Sequence, residues 1–184
     1  HDHLVFQTDS DAKVVFNDPR RFGMITLAEQ HACLQHAWLR KLGPEPLDEN
    51  FTASVLSARL RGKRNSIKSS LLDQRVVAGL GNIYVCEVLF WAGISPRRLS
   101  RNIGLKRSSR LVAAVKSVLT DAIEAGGSSL RDYVQSSGEL GYFQNKLAVY
   151  NREGKPCPGC DCEMGVQRLV QSGRSTFYCS KKQR

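Results

Sequence analysis

Residues 67–96 read IKSSLLDQRVVAGLGNIYVCEVLFWAGISP, and this stretch decides the fold of the helical part of the chain. Ser66 can begin a short helix that runs through Leu72. Residues 79–81 (GLG) are typical of a turn, and residues 82–92 are nearly all apolar, which predicts a buried helix. We therefore predict a short helix, a turn and a buried helix in succession.

Helices are also predicted on both sides of this stretch. Residues 26–29 (TLAE) have the form of a capping box, which predicts a helix over residues 26–41. Thr52 can cap a second helix that carries apolar residues on one face. Residues 105–125 show the periodicity of a longer amphipathic helix.

Strands are predicted near both ends of the chain. The β-prone runs at residues 4–6 and 14–16 flank a polar turn, and a hairpin of this kind needs neighbouring strands to bury its face. Near the other end, residues 166–170 and 175–178 can pair around a turn. We therefore predict an α+β fold, and the length of the chain suits one large domain or two small ones.

The charge of the chain favours a polyanionic partner. Lysine and arginine total 27 against 17 aspartate and glutamate, a formal net charge of +10 over 184 residues. Such a balance favours nucleic acid, although many basic proteins have no such partner. No apolar run approaches the roughly 20 residues of a membrane span, and no signal peptide pattern is present. The first residue is His1 rather than Met, so we expect the chain to be cut, processed or incompletely recorded.

Four of the six cysteines lie close together, at Cys157, Cys160, Cys162 and Cys179. A disulfide scaffold would spread its cysteines along the chain, so the clustering favours a metal site. A C-x-x-C knuckle joined to a further cysteine after a hairpin is typical of a zinc ribbon. A second knuckle would end at Lys182, which cannot ligate zinc when protonated. Cys162 is a candidate replacement, and a hairpin with spare thiols is the alternative.

Basic side chains lie beside the predicted turns. The glycines of residues 79–81 would let a phosphate approach the N-terminus of the following helix, which favours anions; an ordinary inter-helix turn is the alternative. Lys63 and Lys68 lie just upstream. Arg174 lies at the predicted hairpin turn, where an arginine can fork onto a phosphate or remain a solvated turn residue.

Residues 17–23 (NDPRRFG) join two arginines to an aromatic residue between turn residues. An exposed Phe22 beside Arg20 and Arg21 could wedge into a base stack while an arginine fills the vacated space. Taken alone, a phenylalanine in this setting is more often part of a core.

Assembled in order, these segments resemble the formamidopyrimidine-DNA glycosylase family. The matching stretches are HDH at 1–3, NDPRRFG at 17–23, LGPEPL at 42–47, the stretch at 67–96, GGSSLRDYVQSSGELGYFQ at 126–144 and GRSTFYC at 173–179. They span nearly the whole chain, and the NDPRRFG and AGLGNIY segments are highly specific in combination.

The resemblance implies four segments. Residues 1–25 would be the last strands of an N-terminal β-sandwich catalytic domain whose remainder is missing. Residues 26–127 would form a helix-two-turn-helix DNA-binding domain, and residues 128–146 a lesion-capping loop. Residues 147–184 would form a zinc-ribbon finger with one structural Zn²⁺, whose occupancy is in doubt because Lys182 stands at the last ligand position.

The resemblance also implies a function in base-excision repair. A bifunctional DNA glycosylase and AP lyase would remove 8-oxoguanine and formamidopyrimidines from damaged double-stranded DNA after flipping the base out. The reaction would run through a Schiff base on an N-terminal proline that this chain lacks, so the chain alone is expected to be inactive. A non-catalytic DNA-binding module and an endonuclease VIII-like glycosylase for oxidised pyrimidines are the alternatives. A monomeric protein of the bacterial cytoplasm, associated with the nucleoid, is also implied.

Residue roles follow from the same resemblance. Lys68, Asn82 and Arg174 correspond to a clamp on the phosphates flanking the lesion, and Arg174 also to a residue that assists δ-elimination. Arg20 would fill the space left by the flipped base, with Phe22 as the wedge. The implied DNA-binding set is His1, Arg20, Arg21, Phe22, Lys63, Lys68, Asn82 and Arg174. The implied metal set is Cys157, Cys160 and Cys179, with Cys162 as the candidate fourth ligand.

Overall fold

The computed structural model describes residues 1–127 and 141–184. The described residues form two compact units, His1–Arg40 and Lys41–Arg184, and each is described by itself. Most of the expected lesion-capping loop, residues 128–140, lies outside the described part. Among the helices of the described ranges, none is long and apolar enough to cross a lipid bilayer.

The first unit contains an antiparallel hairpin of β1 (Asp2–Gln7) and β2 (Lys13–Asn17), which confirms the two predicted strands. Its register pairs Leu4 with Phe16 and Val5 with Val15. The large aliphatic side chains of both strands and the ring of Phe6 remain 39–56% exposed. A two-stranded ribbon lacks a second layer of its own on which such side chains could be buried.

The prediction of a helix over residues 26–41 is wrong. One 3-10 segment, Gln30–Gln35, forms there, and Glu29 precedes it in an extended conformation without a side-chain cap. No residue of the 3-10 segment is buried, and Leu27 is 97% exposed. Capping and propensity alone leave a short helix marginal when no apolar face is packed.

The second unit contains α1 (Ala53–Leu60), α2 (Ile67–Leu71), α3 (Asn82–Trp91) and α4 (Leu105–Glu124). These helices confirm the four predicted for this part of the chain. The Thr52 hydroxyl accepts a hydrogen bond from the Val55 amide at the start of α1. The Ser66 hydroxyl accepts one from the Ser69 amide at the start of α2. Both caps satisfy amides that the first helical turn leaves unpaired.

The core of the second unit lies where α4 packs against α1 and α3. From α4, Leu111, Val115 and Val118 are at most 3% exposed, on the face that their periodicity predicts. Along α3, Val85 and Leu89 are fully buried. Since α3 is apolar on nearly every side, it can serve as the central element on which the rest of the unit packs.

A second hairpin, β3 (Gln167–Gln171) and β4 (Arg174–Tyr178), confirms the predicted C-terminal strands. Ser172 and Gly173 form its two-residue turn with φ of 49° and 72°. Positive φ at both positions is what a tight antiparallel hairpin turn requires, and glycine adopts it without strain. β4 contacts α3, which places the start of β4 beside the helical residues of the candidate site.

Candidate nucleic-acid interface

Lys68 of α2 and Asn82 of α3 meet at one carbonyl group of β4. The Lys68 ammonium donates to the Ser175 carbonyl at 3.2 Å and to the Thr176 hydroxyl at 2.7 Å. The Asn82 amide donates to the same Ser175 carbonyl at 3.0 Å. Three elements distant in sequence therefore converge on the backbone of β4.

Arg174 immediately precedes that carbonyl and is exposed. Its guanidinium lies close enough to Lys68 to disfavour the protonated ammonium. We call Lys68, Asn82 and Arg174 the clamp cluster. The structure thus brings together the three residues that the family resemblance assigns to flanking phosphates, with Arg174 exposed and Lys68 buried.

Burial lowers the pKa of Lys68 below the usual lysine value of 10.5. The Cys86 thiol nearby acts in the opposite direction, and the Arg174 guanidinium lowers the pKa of Lys68 further. The ammonium group is fully buried and its two acceptors are uncharged. A bound anion would supply the negative charge that this buried cation lacks.

The approach to the N-terminus of α3 is open. A side chain added at Gly79 or Gly81 would meet no atom within 4 Å, and Gly79 has a φ of +77° that favours glycine. Within the described residues, the buried Oδ1 atom of Asn82 accepts no hydrogen bond. The turn therefore leaves open space beside the N-terminus of α3, next to a buried polar atom that has no partner in the described part of the chain.

The four cysteines expected to bind metal also come together. The sulfur atoms of Cys157, Cys160, Cys162 and Cys179 all lie within 4.8 Å of one another. A tetrahedral zinc site with Zn–S bonds of about 2.3 Å separates its sulfurs by about 3.8 Å, so the four thiols fit this ion. The expectation that Lys182 leaves the cluster short of a ligand is not supported, because Cys162 supplies a fourth thiol.

One thiol of this cluster is poised to ionise. Burial raises the pKa of Cys179, but hydrogen bonds from the Lys182 amide and from the neighbouring thiols outweigh burial and lower it to about 7. The thiolate is the form that ligates metal. Burial raises the pKa of Cys160 to about 12, so the thiolate that the cluster favours is that of Cys179.

The sequence profile of the formamidopyrimidine-DNA glycosylase H2TH domain matches residues 42–134. The formamidopyrimidine-DNA glycosylase of Rhodospirillum centenum is 60% identical, and the match covers 100% of this chain and 67% of the relative. The chain belongs to the formamidopyrimidine-DNA glycosylase family. The enzyme of the same name from Ruegeria pomeroyi is 54% identical, and the match covers 100% of this chain and 65% of that protein.

Solved structures of the formamidopyrimidine-DNA glycosylase family agree with the fold. The MutM (Fpg) protein of Thermus thermophilus superimposes with a TM-score of 0.88 at 40% identity, covering 100% of this chain and 68% of that one. A variant of Lactococcus lactis Fpg in complex with DNA containing Fapy-dG gives a TM-score of 0.88 at 35% identity, covering 100% and 66%. This chain spans about two thirds of the length of the family members it matches.

Lys63, a further residue that the formamidopyrimidine-DNA glycosylase resemblance assigns to DNA, has an acidic neighbour in the second unit. The ammonium of Lys63 is 3.9 Å from the carboxylate of Asp73. Asp73 also accepts two hydrogen bonds from the Arg75 guanidinium and one from the Arg75 amide, and these bonds hold the pKa of Asp73 below its usual value. Lys63 and Arg75 therefore share the ionised carboxylate of Asp73.

The first unit carries the remaining assigned residues of this glycosylase-family chain. The Arg20 guanidinium lies 5.5 Å from the centroid of the Phe22 ring, and Phe22 is 80% exposed. Arg21 has a φ of 56° in the turn after β2, and the His1 carbonyl accepts a hydrogen bond from the Asp18 amide across the open end of the hairpin. The exposure of Phe22 excludes a place in the core of this unit.

Sequence reasoning missed Glu87, which is 1% exposed. One of its carboxylate oxygens accepts from the Val149 and Tyr150 amides at 3.0 and 2.8 Å, and the other accepts from the Ala148 amide at 2.8 Å. Burial raises the pKa of Glu87, while these three amides counteract the rise. The sequence does carry one signal for this residue of the glycosylase-family chain. Glu87 is the single charged residue of the otherwise largely apolar helix α3.

Proposed function

We propose that this chain is the DNA-gripping part of a bifunctional DNA glycosylase and AP lyase that acts on oxidised purines in duplex DNA. The observation that carries the proposal is the convergence of Lys68 and Asn82 on the Ser175 carbonyl, next to Arg174 and the turn of the C-terminal hairpin. Family membership supports it. So do the structures of Lactococcus lactis Fpg, which are complexes with DNA containing Fapy-dG or an abasic site.

The clamp cluster would contact phosphates through two chemically different cations. Arg174, exposed at the start of β4, can present two parallel N–H donors to one phosphate. Lys68 is held from behind by Ser175 and Thr176, so little side-chain entropy remains to be lost when an anion binds. Contacts of this kind fix the position of the duplex and carry no base identity.

The lesion itself would be handled by residues outside the cluster. We assign Phe22 as the wedge and Arg20 as the residue that fills the space of the flipped base, with Arg21, His1 and Lys63 as further DNA contacts. The exposure of His1, Arg20, Arg21 and Phe22 and the cation–π contact between Arg20 and Phe22 support this assignment, and Lys63 is partly exposed. Loop 128–146 would cover the flipped base.

The chemical step would use groups assigned by family membership. Arg174 would assist δ-elimination, and a Schiff base on an N-terminal proline would link enzyme and sugar. In the proposed division of the chain, residues 1–25 belong to a β-sandwich, residues 26–127 to the helix-two-turn-helix domain and residues 147–184 to a zinc-ribbon finger. We also propose that the protein is a monomer and acts on the nucleoid in the bacterial cytoplasm.

A zinc ion in the cysteine cluster would serve a structural purpose. Four thiolates leave no open position for a substrate or a water molecule, which is typical of a structural site. The ion would fix the hairpin that carries Arg174, and it would supply folding free energy that a small hairpin lacks. The four thiols gathered within 4.8 Å support this role.

DNA affinity should depend on pH through Lys68. Its pKa lies below 10.5 because of burial, and a bound phosphate would raise that pKa. Raising the pH removes the proton and the positive charge, so affinity should fall as the pH passes through the lowered pKa. Fluorescence anisotropy on a duplex between neutral and alkaline pH measures the fall. The Lys68→Met chain should show a flatter profile, and an equal fall in both chains would contradict the assignment.

The proposed activity is tested by excision of 8-oxoguanine from a labelled duplex by the complete gene product, with borohydride trapping of the Schiff base. We expect strand cleavage and a trapped covalent complex. Binding without excision would replace the proposal by a non-catalytic DNA-binding module. Faster excision of oxidised pyrimidines would replace it by an endonuclease VIII-like enzyme.

A further inference from the structure

Lys182 lies at the position where a second C-x-x-C knuckle would have its last cysteine. The Lys182 amide donates a hydrogen bond to the Cys179 sulfur, so the backbone turns back toward Cys179 as it does in a C-x-x-C knuckle. The side chain leaves the cysteine cluster, however. Its ammonium lies 4.4 Å from the centroid of the Phe90 ring and 5.1 Å from that of Trp91.

The alkyl part of Lys182 covers the first knuckle. A Cβ atom added at Gly159 would collide with the Lys182 side chain, so only glycine leaves room for the lysine at this place. The side chain thus spans from the Cys157–Cys160 knuckle to the C-terminal turn of α3. A cation over two aromatic rings stabilises such a contact, the more so when it is partly removed from water.

The next residues hold the chain end against the same region. The Gln183 side chain donates to the Ile94 carbonyl at 3.1 Å and accepts from the Cys179 amide at 2.8 Å. Gln183 is 3% exposed. The backbone at Lys182 is therefore anchored by its buried neighbour, while its partly buried side chain lies against the two rings.

Cys162 takes the place in the cluster that Lys182 leaves. Its sulfur is 3.4 Å from that of Cys179, the same separation as between Cys160 and Cys179. These separations are near the edge of a zinc–thiolate tetrahedron, about 3.8 Å. Three of the four sulfurs then come from one C-x-x-C-x-C segment, and Cys179 alone comes from the far side of the hairpin.

We propose that Cys162 is the fourth zinc ligand of this chain and that Lys182 serves instead as a cation–π strut between the ribbon and α3. The proposal rests on the structural zinc proposed above and is independent of catalytic activity. In this arrangement a cysteine at position 182 is not needed for a complete site.

The direct test maps thiol protection in the 184-residue chain loaded with zinc, by alkylation and mass spectrometry. We expect Cys157, Cys160, Cys162 and Cys179 to be protected until a chelator is added, while exposed Cys33 reacts at once. Reaction of Cys162 at the rate of Cys33 in the zinc-loaded chain would overturn the proposal. This measurement needs no variant and therefore does not depend on a variant folding.

Two variants test the ligand set by chelator competition, with Cys33→Ser as the matched control. Cys162→Ser should weaken zinc binding at least about 100-fold. Loss of a residue that only hydrogen-bonds to a metal ligand already lowers metal affinity by about 10- to 100-fold. Lys182→Cys should not tighten zinc binding. A Cys162→Ser chain that keeps normal zinc affinity, or a Lys182→Cys chain that gains affinity, would overturn the assignment of Cys162.

The strut is tested by Lys182→Met, which keeps the alkyl chain and removes the charge. The zinc-loaded variant should keep one zinc per chain and unfold at a lower temperature than the parent. Lys155→Met, at an exposed lysine elsewhere in the ribbon, should leave the midpoint unchanged. Equal midpoints for parent and Lys182→Met would contradict the strut.

Discussion

Replacing Lys68 by methionine should weaken binding of duplex DNA by about 10- to 150-fold, equivalent to the roughly 1.5–3 kcal/mol of a hydrogen bond to a charged group. The same variant should fold at least as stably as the parent. The Ser175 carbonyl still accepts from Asn82, and the Thr176 hydroxyl still donates to Gln171. Methionine also removes the cost of burying a cation, which the lowered pKa of Lys68 reveals.

Binding titrations and urea unfolding of the same preparations measure the two effects. Lys106→Ala, at an exposed lysine of α4, is the control for loss of one positive charge. The ratio of affinities for lesion-containing and undamaged duplexes should stay constant in Lys68→Met, because phosphate contacts carry no base identity. Parent-like affinity in Lys68→Met, or a loss matched by Lys106→Ala, would refute the role of Lys68.

Replacing Glu87 by alanine should lower the free energy of unfolding by roughly 3–5 kcal/mol, since each buried group left unpaired costs roughly 1–3 kcal/mol. Three backbone amides, those of Ala148, Val149 and Tyr150, would lose their acceptor at once. These amides join α3 to the segment that leads into the cysteine ribbon. The loss would be a large part of the roughly 5–15 kcal/mol that stabilises a typical domain.

Glu87→Gln separates the charge from the shape of this side chain. Glutamine can accept with one oxygen only, and its amide group would face a backbone N–H, so we expect an intermediate loss of roughly 1–3 kcal/mol. Glu124→Ala, at an exposed glutamate near the end of α4, should change stability by less than about 0.5 kcal/mol. Equal losses in the free energy of unfolding for Glu87→Ala and Glu124→Ala, measured by urea unfolding, would disprove the anchoring role of Glu87.

The elements that could be predicted from the sequence are those whose stability is local or periodic. α4 follows from the 3.6-residue spacing of Leu111, Val115 and Val118, and α2 from its Ser66 cap. The turn at Ser172 and Gly173 follows from the glycine, which tolerates positive φ. In each case one short-range cause acts in the same direction as the tertiary packing.

The failures share a different cause. The capping box at residues 26–29 is a correct local signal, but no apolar face of that segment is buried. Glu87 forms its hydrogen bonds with residues about 60 positions away, and no local pattern indicates such a partner. Cys162 could be named from the sequence as a candidate fourth ligand, but only the tertiary fold shows that its sulfur lies beside the other three.

The most direct test of the central claim is the salt dependence of duplex binding by the 184-residue chain and by Arg174→Ala. Each phosphate neutralised by a cation contributes about 0.9 to the slope of log affinity against log salt. We predict a steep slope for the parent chain, a slope shallower by about 0.9 for Arg174→Ala, and a similar reduction for Lys68→Met. Binding that does not change with salt, or identical slopes for the parent and both variants, would contradict a phosphate-binding clamp at this site.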